Sequence, residues 1–251
     1  VLLIVNADDL GTSTLINDEI FALMESGLVT SATIIANSPA FEDAAKRVAR
    51  FPNCSFGVHL NLTVFPPLST SAGLAPLLDD SGRLSRKLFQ ATISAEVREA
   101  ALRELSAQVQ RVLDAGVPVS HFDSHQHIHT IPGIFPVLKR LQRKFGIRKV
   151  RSTINVLPAG HRMTVLRALR KWSFNLALRH FPATASPEGF GEFCDFHGAL
   201  MAGRFPRFRR LELMVHPGTS NPAYNEEVAL LRSDWQRLLP PDVKLGSYRS
   251  V

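Results

Sequence analysis

Four of the chain's nine histidines and one aspartate crowd into ten residues, His121–Thr130, "HFDSHQHIHT". Imidazoles and carboxylates at that density bind divalent metals or move protons. Three other short stretches carry the same residue types: Asp8 and Asp9 in "IVNADDLG", His59 and Asn61 in "GVHLNLT", and His216 in "ELMVHPG". Each has an ordinary explanation alone. Paired aspartates after an apolar run often make a turn and an N-cap, a histidine between Val58 and Leu60 suits a core, and His-Pro-Gly suits a turn.

As a set they are worth more. Two neutral imidazoles and one carboxylate hold a catalytic divalent ion while leaving positions open for water and substrate. With Asp9, His59 and His125 as ligands, Asp8 is left beside the ion as an unbound base, and His216 stands opposite as a general acid. Base, activated water and acid describe hydrolysis of an amide or ester. Alternate histidines on an extended "HQHIH" would share one face. A run of three rarely binds one ion, so the weight falls on His125.

The elements that must position these residues alternate along the chain. Strands are predicted at 2–6, 29–37, 54–61, in "VSHFDSH", in "IRKVRST", at 211–218 and in "KLGSY". Between them lie helical patterns: "TLINDEIFALMESG" with Leu15, Ile16, Ile20, Leu23 and Met24 as its stripe, and a helix opened by Ser38 as N-cap with Pro39 at its first position. Further patterns are "SAEVREAALRELSAQVQRVLDAG" with Val97, Ala101, Leu105, Val109 and Val112 on one face, "PGIFPVLKRLQRKFG" and "NEEVALLRSDWQRLL". Residues 156–190 are basic and helical in part, with no clear register. About seven alternations without a break in composition predict one domain over 1–251, with parallel strands joined by helical crossovers in a (β/α) barrel or an open doubly wound sheet. The absence of GxGxxG and Walker patterns argues against the nucleotide-binding versions. Asp8, Asp9, His59, Asn61, Asp123, His125 and His216 all fall at carboxyl ends of predicted strands, where a barrel builds its active site. The Pro-, Gly- and Ser-rich segment 64–93 reads as a loop or lid.

Hydrophobic residues at 45% and charged residues at 20% are ordinary for a globular protein. No apolar run approaches the roughly 20 residues of a membrane span, and a cytoplasmic protein is expected. Cys54 and Cys194 show no CxxC spacing and read as free thiols. Lys and Arg exceed Asp and Glu by 29 to 22, the surplus gathering at 139–151, 166–172 and 203–210. A solvated face explains such clusters first. An anionic membrane surface or a phosphate-bearing or lipid-linked glycan explains them second, a nucleic acid is not expected, and a homo-oligomer is compatible with the composition.

"IVNADDLG", "GVHLNLT", "FDSHQHIH" and "ELMVHPG", in this order and at these spacings, resemble the motifs of the YdjC-like carbohydrate deacetylases. The resemblance runs along the whole chain and is loosest over 152–210; Leu10 stands where phenylalanine is frequent. It implies an α/β, TIM-like (β/α) barrel of seven or eight strands, somewhat irregular. It also implies metal-dependent removal of N-acetyl groups from an amino sugar or oligosaccharide. On this resemblance Asp9, His59 and His125 hold one divalent ion, magnesium or zinc, with Asp8 as base and His216 as acid. Asp123 is expected to orient an imidazole. Asn61, His127 and Arg151 are expected as substrate or supporting contacts. Rival readings are another metal-dependent barrel enzyme, a sugar isomerase or phosphodiesterase, and a basic binder of anionic surfaces or nucleic acid. An isomerase needs carboxylates on several strands, where this chain shows one dominant pair.

Overall fold

The computed structural model describes residues 1–154, 156, 164–180, 184–205, 208–219 and 222–251. Its strands are β1 (Leu2–Leu10), β2 (Ser31–Ile34), β3 (Ser55–Leu60), β4 (Val119–Ser124), β5 (Lys149–Val150), β6 (Gly189–Glu192), β7 (Arg210–Val215) and β8 (Lys244–Gly246). All paired strands are parallel, in the order β5-β4-β3-β2-β1-β7-β6, with β8 beside the first residues of β1. The helices are α1 (Thr14–Glu25), α2 (Phe41–Arg47), α3 (Ala95–Asp114), α4 (Phe135–Phe145), α5 (Val165–His180), α6 (Phe193–Met201) and α7 (Pro222–Leu231). Parallel pairing requires crossovers, and helices in those crossovers bury the sheet.

A closed barrel is not formed. The sheet path ends at β5 and β6, and only two isolated pairs of backbone bonds link the described residues near these edges: Val150 N–H to the Ala185 carbonyl and Ala185 N–H to the Arg148 carbonyl, each 3.0 Å, and Val156 N–H to the Phe190 carbonyl and Phe190 N–H to the Ile154 carbonyl, each 2.8 Å. The expected strand "IRKVRST" shrinks to the two residues of β5, too short for a continuous ladder. The result is an α/β fold with an open, parallel, barrel-like sheet.

Local chemistry explains most boundaries. Ser13 caps α1 by accepting from Ile16 N–H, and Ile16, Ile20, Leu23 and Met24 face the core. Leu15 leaves the expected stripe, 68% exposed. Ser94 caps α3, whose buried face carries Val97, Ala101, Leu105, Val109 and Val112. Ser38 does not cap α2: its hydroxyl donates to the Gly11 and Ile35 carbonyls, and Ala40 precedes the helix. The segment 64–93 is anchored. Leu74, Leu77, Leu84 and Leu88 are buried, each worth about 1.5–3 kcal/mol. Glu104 of α3 accepts from Leu68 N–H, Ser69 N–H and the Ser69 hydroxyl. The stretch without clear register, 156–190, contains α5 and the start of β6, and α6 follows it; its residues 157–163 and 181–183, and residues 206–207 of the basic cluster 203–210, lie outside the described residues.

Candidate active site

Parallel register and strand alternation build one inner layer. β1 pairs with β7 as Ile4↔Glu212 and Asn6↔Met214, so alternation brings Asp8 beside His216. β3 pairs with β4 as His59↔Asp123. β4 pairs with β5 as Phe122↔Val150, so the next position sets Arg151 beside Asp123. Registered neighbours on parallel strands point to the same face. Asp8, His59, Asp123, Arg151, Glu212 and His216 therefore converge inside the curl of the sheet.

Adjacent residues on a regular strand point to opposite faces, so Asp8 and Asp9 could not normally serve one site. β1 continues through both aspartates instead of stopping before them, and its register with β2 shifts between Ala7 and Leu10. Asp9 sits at φ 66° within this irregularity. Aspartate tolerates the left-handed region better than most residues, and a bulge re-aims a side chain. Both carboxylates thereby reach His59: Nε2 lies 3.3 Å from Asp9 Oδ1 and 3.9 Å from Asp8 Oδ2.

His125 arrives by a second irregularity. β4 ends at Ser124, and residues 125–130 form a tight turn with Gln126 and His127 at φ 52° and 56°. "HQHIH" is not extended, so its alternate histidines do not share a face. His125 Nδ1 meets Asp9 Oδ1 at 2.8 Å. His129 is buried, bonded through Nδ1 to the Ser124 hydroxyl and packed near Phe174. His121 stacks on Tyr248 with ring centroids 3.5 Å apart.

Two groups of metal-binding residue types have ligand atoms within 4.8 Å of one another: Asp9, His59 and His125, and Asp8, His59 and Asp123. The second already has its cation. Arg151 donates to both Asp8 oxygens at 2.6 and 2.7 Å, and its terminal nitrogen lies 2.9 Å from Asp123 and 2.8 Å from Glu212. Tyr248 O–H donates to the other Glu212 oxygen. Burial opposes ionisation of Asp8, but the bidentate Arg151 contact holds its carboxyl well below the usual range. The first group has no guanidinium and remains partly open, Asp9 and His125 being 15% and 22% exposed at the side chain.

The donor set fits a divalent ion. His59 Nδ1 donates to Asp123 Oδ1 at 2.7 Å, and Thr33 O–H donates to the other Asp123 oxygen at 2.9 Å. That arrangement presents Nε2 toward Asp9, the orientation a carboxylate imposes on a metal-binding imidazole. Burial works against a charged His59, yet Asp123 and Asp8 push its pKa up to about 10. Without an ion, an imidazolium supplies the positive charge that this pocket of carboxylates demands.

His216 follows β7 directly. Its Nε2 lies 4.0 Å from Asp8 Oδ2, its ring stacks on Tyr224 with centroids 4.4 Å apart, and its buried Nδ1 has no hydrogen-bond partner among the described residues. Its backbone N–H donates to Glu227 of α7 at 2.6 Å. Burial raises the Glu227 carboxyl to about 7.

Arg151 is 0% exposed and neither contacts solvent nor belongs to a basic surface; it positions Asp8, Asp123 and Glu212. Asn61 is likewise committed. Its Nδ2 donates to Asn37 Oδ1 and the Val64 carbonyl, its Oδ1 accepts from Thr63 and Val64 N–H, and Gln108 of α3 pairs with its backbone. It shapes the loop after β3. His127 does line open space: a cavity of about 370 Å³ bounded also by Thr130, Thr153, Arg167, Arg170 and Phe190. Burial drives its pKa down to about 3, keeping the ring neutral. Asn6, Thr33, Glu212 and Tyr248 were not singled out from sequence. Alternation from Asp8 points to Asn6, and a glutamate inside the apolar run "LELMV" points to Glu212; Thr33 and Tyr248 gave no signal.

The YdjC-like protein family profile matches residues 2–239. The chain belongs to this family. A carbohydrate deacetylase of Geobacillus stearothermophilus is 39% identical over 151 residues, covering 59% of this chain and 60% of that protein. One of Halalkalibacterium halodurans is 39% identical over 166 residues, covering 64% and 68%. The match thus spans about three fifths of the length of the former relative. A crystal structure from Enterococcus faecalis V583, described as a candidate cellobiose-phosphate cleavage protein, aligns with TM-score 0.77 at 21% identity, covering 99% of this chain and 98% of that one. At that identity the likeness speaks for the fold.

Proposed function

We propose that this YdjC-like chain is a metal-dependent carbohydrate deacetylase that removes N-acetyl groups from an amino sugar or short oligosaccharide. The observation that carries the reading is the division of labour on one rim. Asp9, His59 and His125 form an open ligand cup, while Asp8 is held ionised beside it by Arg151. The relatives named carbohydrate deacetylases support the same reading.

A divalent ion held by Asp9, His59 and His125 would supply Lewis-acid activation of water and of the acetyl carbonyl. Two imidazoles and one carboxylate favour a transition metal such as zinc over magnesium. The protein's own groups do the rest. Asp8, kept charged and aimed by Arg151, accepts the proton of the attacking water. His216, on the far side of Asp8, donates a proton to the departing amine. Asp123 fixes the His59 ring through Nδ1 and so orients the ligand. His127, neutral and at the cavity wall, offers hydrogen bonds without charge to the sugar. Asn61 is assigned to the loop and not to substrate.

The test is acetate release from N,N′-diacetylchitobiose by metal-reconstituted protein, with and without chelator. Asp8→Asn preserves shape and leaves Arg151 its partners Asp123 and Glu212. It is expected to keep the metal and lose roughly 10²–10⁴-fold in kcat. Full activity of Asp8→Asn with metal bound would overturn the base assignment.

A further inference from the structure

Helix α5 wears its apolar residues on the wrong side for an ordinary surface helix. Its inner face is conventional, with Phe174 9% and Leu178 1% exposed. Its outer face carries Val165 at 84%, Leu169 at 55% and Trp172 at 60% exposure, with Leu166 beside them at 78%. Positions 165, 169 and 172 follow the spacing of one helical stripe, and at about 100° per residue that stripe lies opposite Phe174 and Leu178. Arg167 and Arg170 stand toward the cavity that α5 overhangs. The helix contains no aspartate or glutamate. A contiguous exposed apolar patch of this kind marks a contact surface.

Charge selects the occupant. A two-fold pairing through α5 would bring together two helices that each carry Arg167, Arg170, Lys171 and Arg179 and no acid, so like net charges would approach. An anionic bilayer offers the hydrocarbon boundary to the stripe and a negative surface to a helix with four basic residues and no acid, and tryptophan is a residue type enriched at that boundary. The chain's net charge of +7 adds longer-range attraction to such a surface. Among the described residues no helix is long and apolar enough to cross a membrane, so the contact is one of lying in the interface.

We propose that α5 is an in-plane docking helix that seats this protein on an anionic lipid bilayer. Docked in this way, the cavity behind α5, with His127 on its wall, lies within one helix diameter of the lipid. That placement suits an amino sugar carried on a lipid; this substrate class rests on the deacetylase reading, whereas the docking does not.

The full chain is mixed with vesicles of phosphatidylcholine alone or with about 30% phosphatidylglycerol, and binding is read by flotation and by tryptophan emission. The two tryptophans separate cleanly, because Trp235 is 1% exposed and packed on Phe193 and Phe196. The expected result is a blue-shifted, bromolipid-quenched emission that Trp172→Phe abolishes. Partition should be about tenfold stronger onto the anionic vesicles and should weaken with salt. The double variant Leu169→Ser/Trp172→Ser should lower partition about tenfold, with thermal midpoint and acetate release from diacetylchitobiose unchanged. Absence of vesicle binding, equal partition onto both vesicle types, or undiminished binding by the double variant overturns the proposal. So does a solution dimer that the double variant dissociates, which would assign the stripe to a second copy. If the wild type binds vesicles but releases no acetate from any N-acetylated sugar, the deacetylase reading fails and the docking stands.

Discussion

Asp8 and Asp9 are neighbours in sequence but belong to two different electrostatic regions. Asp8 lies in a closed nest with Asp123 and Glu212, 2%, 0% and 0% exposed, where the permanently charged Arg151 contacts all three. Asp9 lies in a half-open cup whose nearby cationic partners, among the described residues, are the imidazoles of His59 and His125. A guanidinium never gives up its proton in this range, so the nest is fixed. An imidazole can, so the cup can exchange protons for an ion. In the proposed mechanism this one buried arginine is what sets Asp8 apart as base and leaves Asp9 as ligand.

The sharpest way to break this contrast is to empty the cup. Asp9→Ala or His125→Ala is expected to abolish tight metal retention, read by elemental analysis after dialysis, and acetate release with it. The His125→Ala variant should unfold near the temperature of the metal-free wild type, since its side chain is partly exposed, whereas Asp9→Ala should unfold somewhat lower because alanine tolerates the left-handed φ of 66° less well. A full equivalent of tightly held metal in Asp9→Ala would show that the cup is not the metal site.

The next largest effect is expected in the nest. Arg151→Met removes the guanidinium that three buried carboxylates share and should cost about 3–5 kcal/mol in urea unfolding, with Arg151→Lys recovering part of it. A loss below about 1 kcal/mol would mean that the carboxylates find water or one another instead.

The smallest effect sharpens the border between the regions, at Glu227 behind His216. Its folded-state pKa, raised by burial to about 7, exceeds the ordinary 4.5. The folded protein therefore binds more protons than the unfolded chain between those values, and stability falls as pH rises through that window. Glu227→Gln should remove this slope, gaining about 3 kcal/mol on wild type at and above pH 7 and little near pH 4. Parallel stability curves for the two proteins would place the Glu227 pKa near its ordinary value.

Much of the site was legible because chemistry-bearing types stood where apolar strands end. Asp8, Asp9, His59, Asp123, His125 and His216 could be grouped from sequence, and the structure brings them together. Arg151 was expected as a substrate or supporting contact, and register, which sets it beside Asp123, gives it the supporting part despite its place in the basic run "KRLQRKFGIRKVR". Asn61 looked like a site residue because polarity at a strand end does not reveal whether its hydrogen bonds are already taken. β6 and α6 were missed since "GFGEFCDFHGALM" carries three glycines and no clean period.

By itself the sequence determined the alternation of strand and helix, the parallel sheet that follows from it, and the donor types available at the strand ends, because periodicity and side-chain chemistry are local. Only the tertiary structure decided that the sheet stays open, that a bulge turns Asp8 and Asp9 toward one histidine, and that a turn at Gln126 and His127 takes His125 away from the other histidines. It also decided that Arg151 serves the carboxylates and not the solvent. These outcomes depend on register and on which charges are buried together, and both are set by residues far apart in the chain.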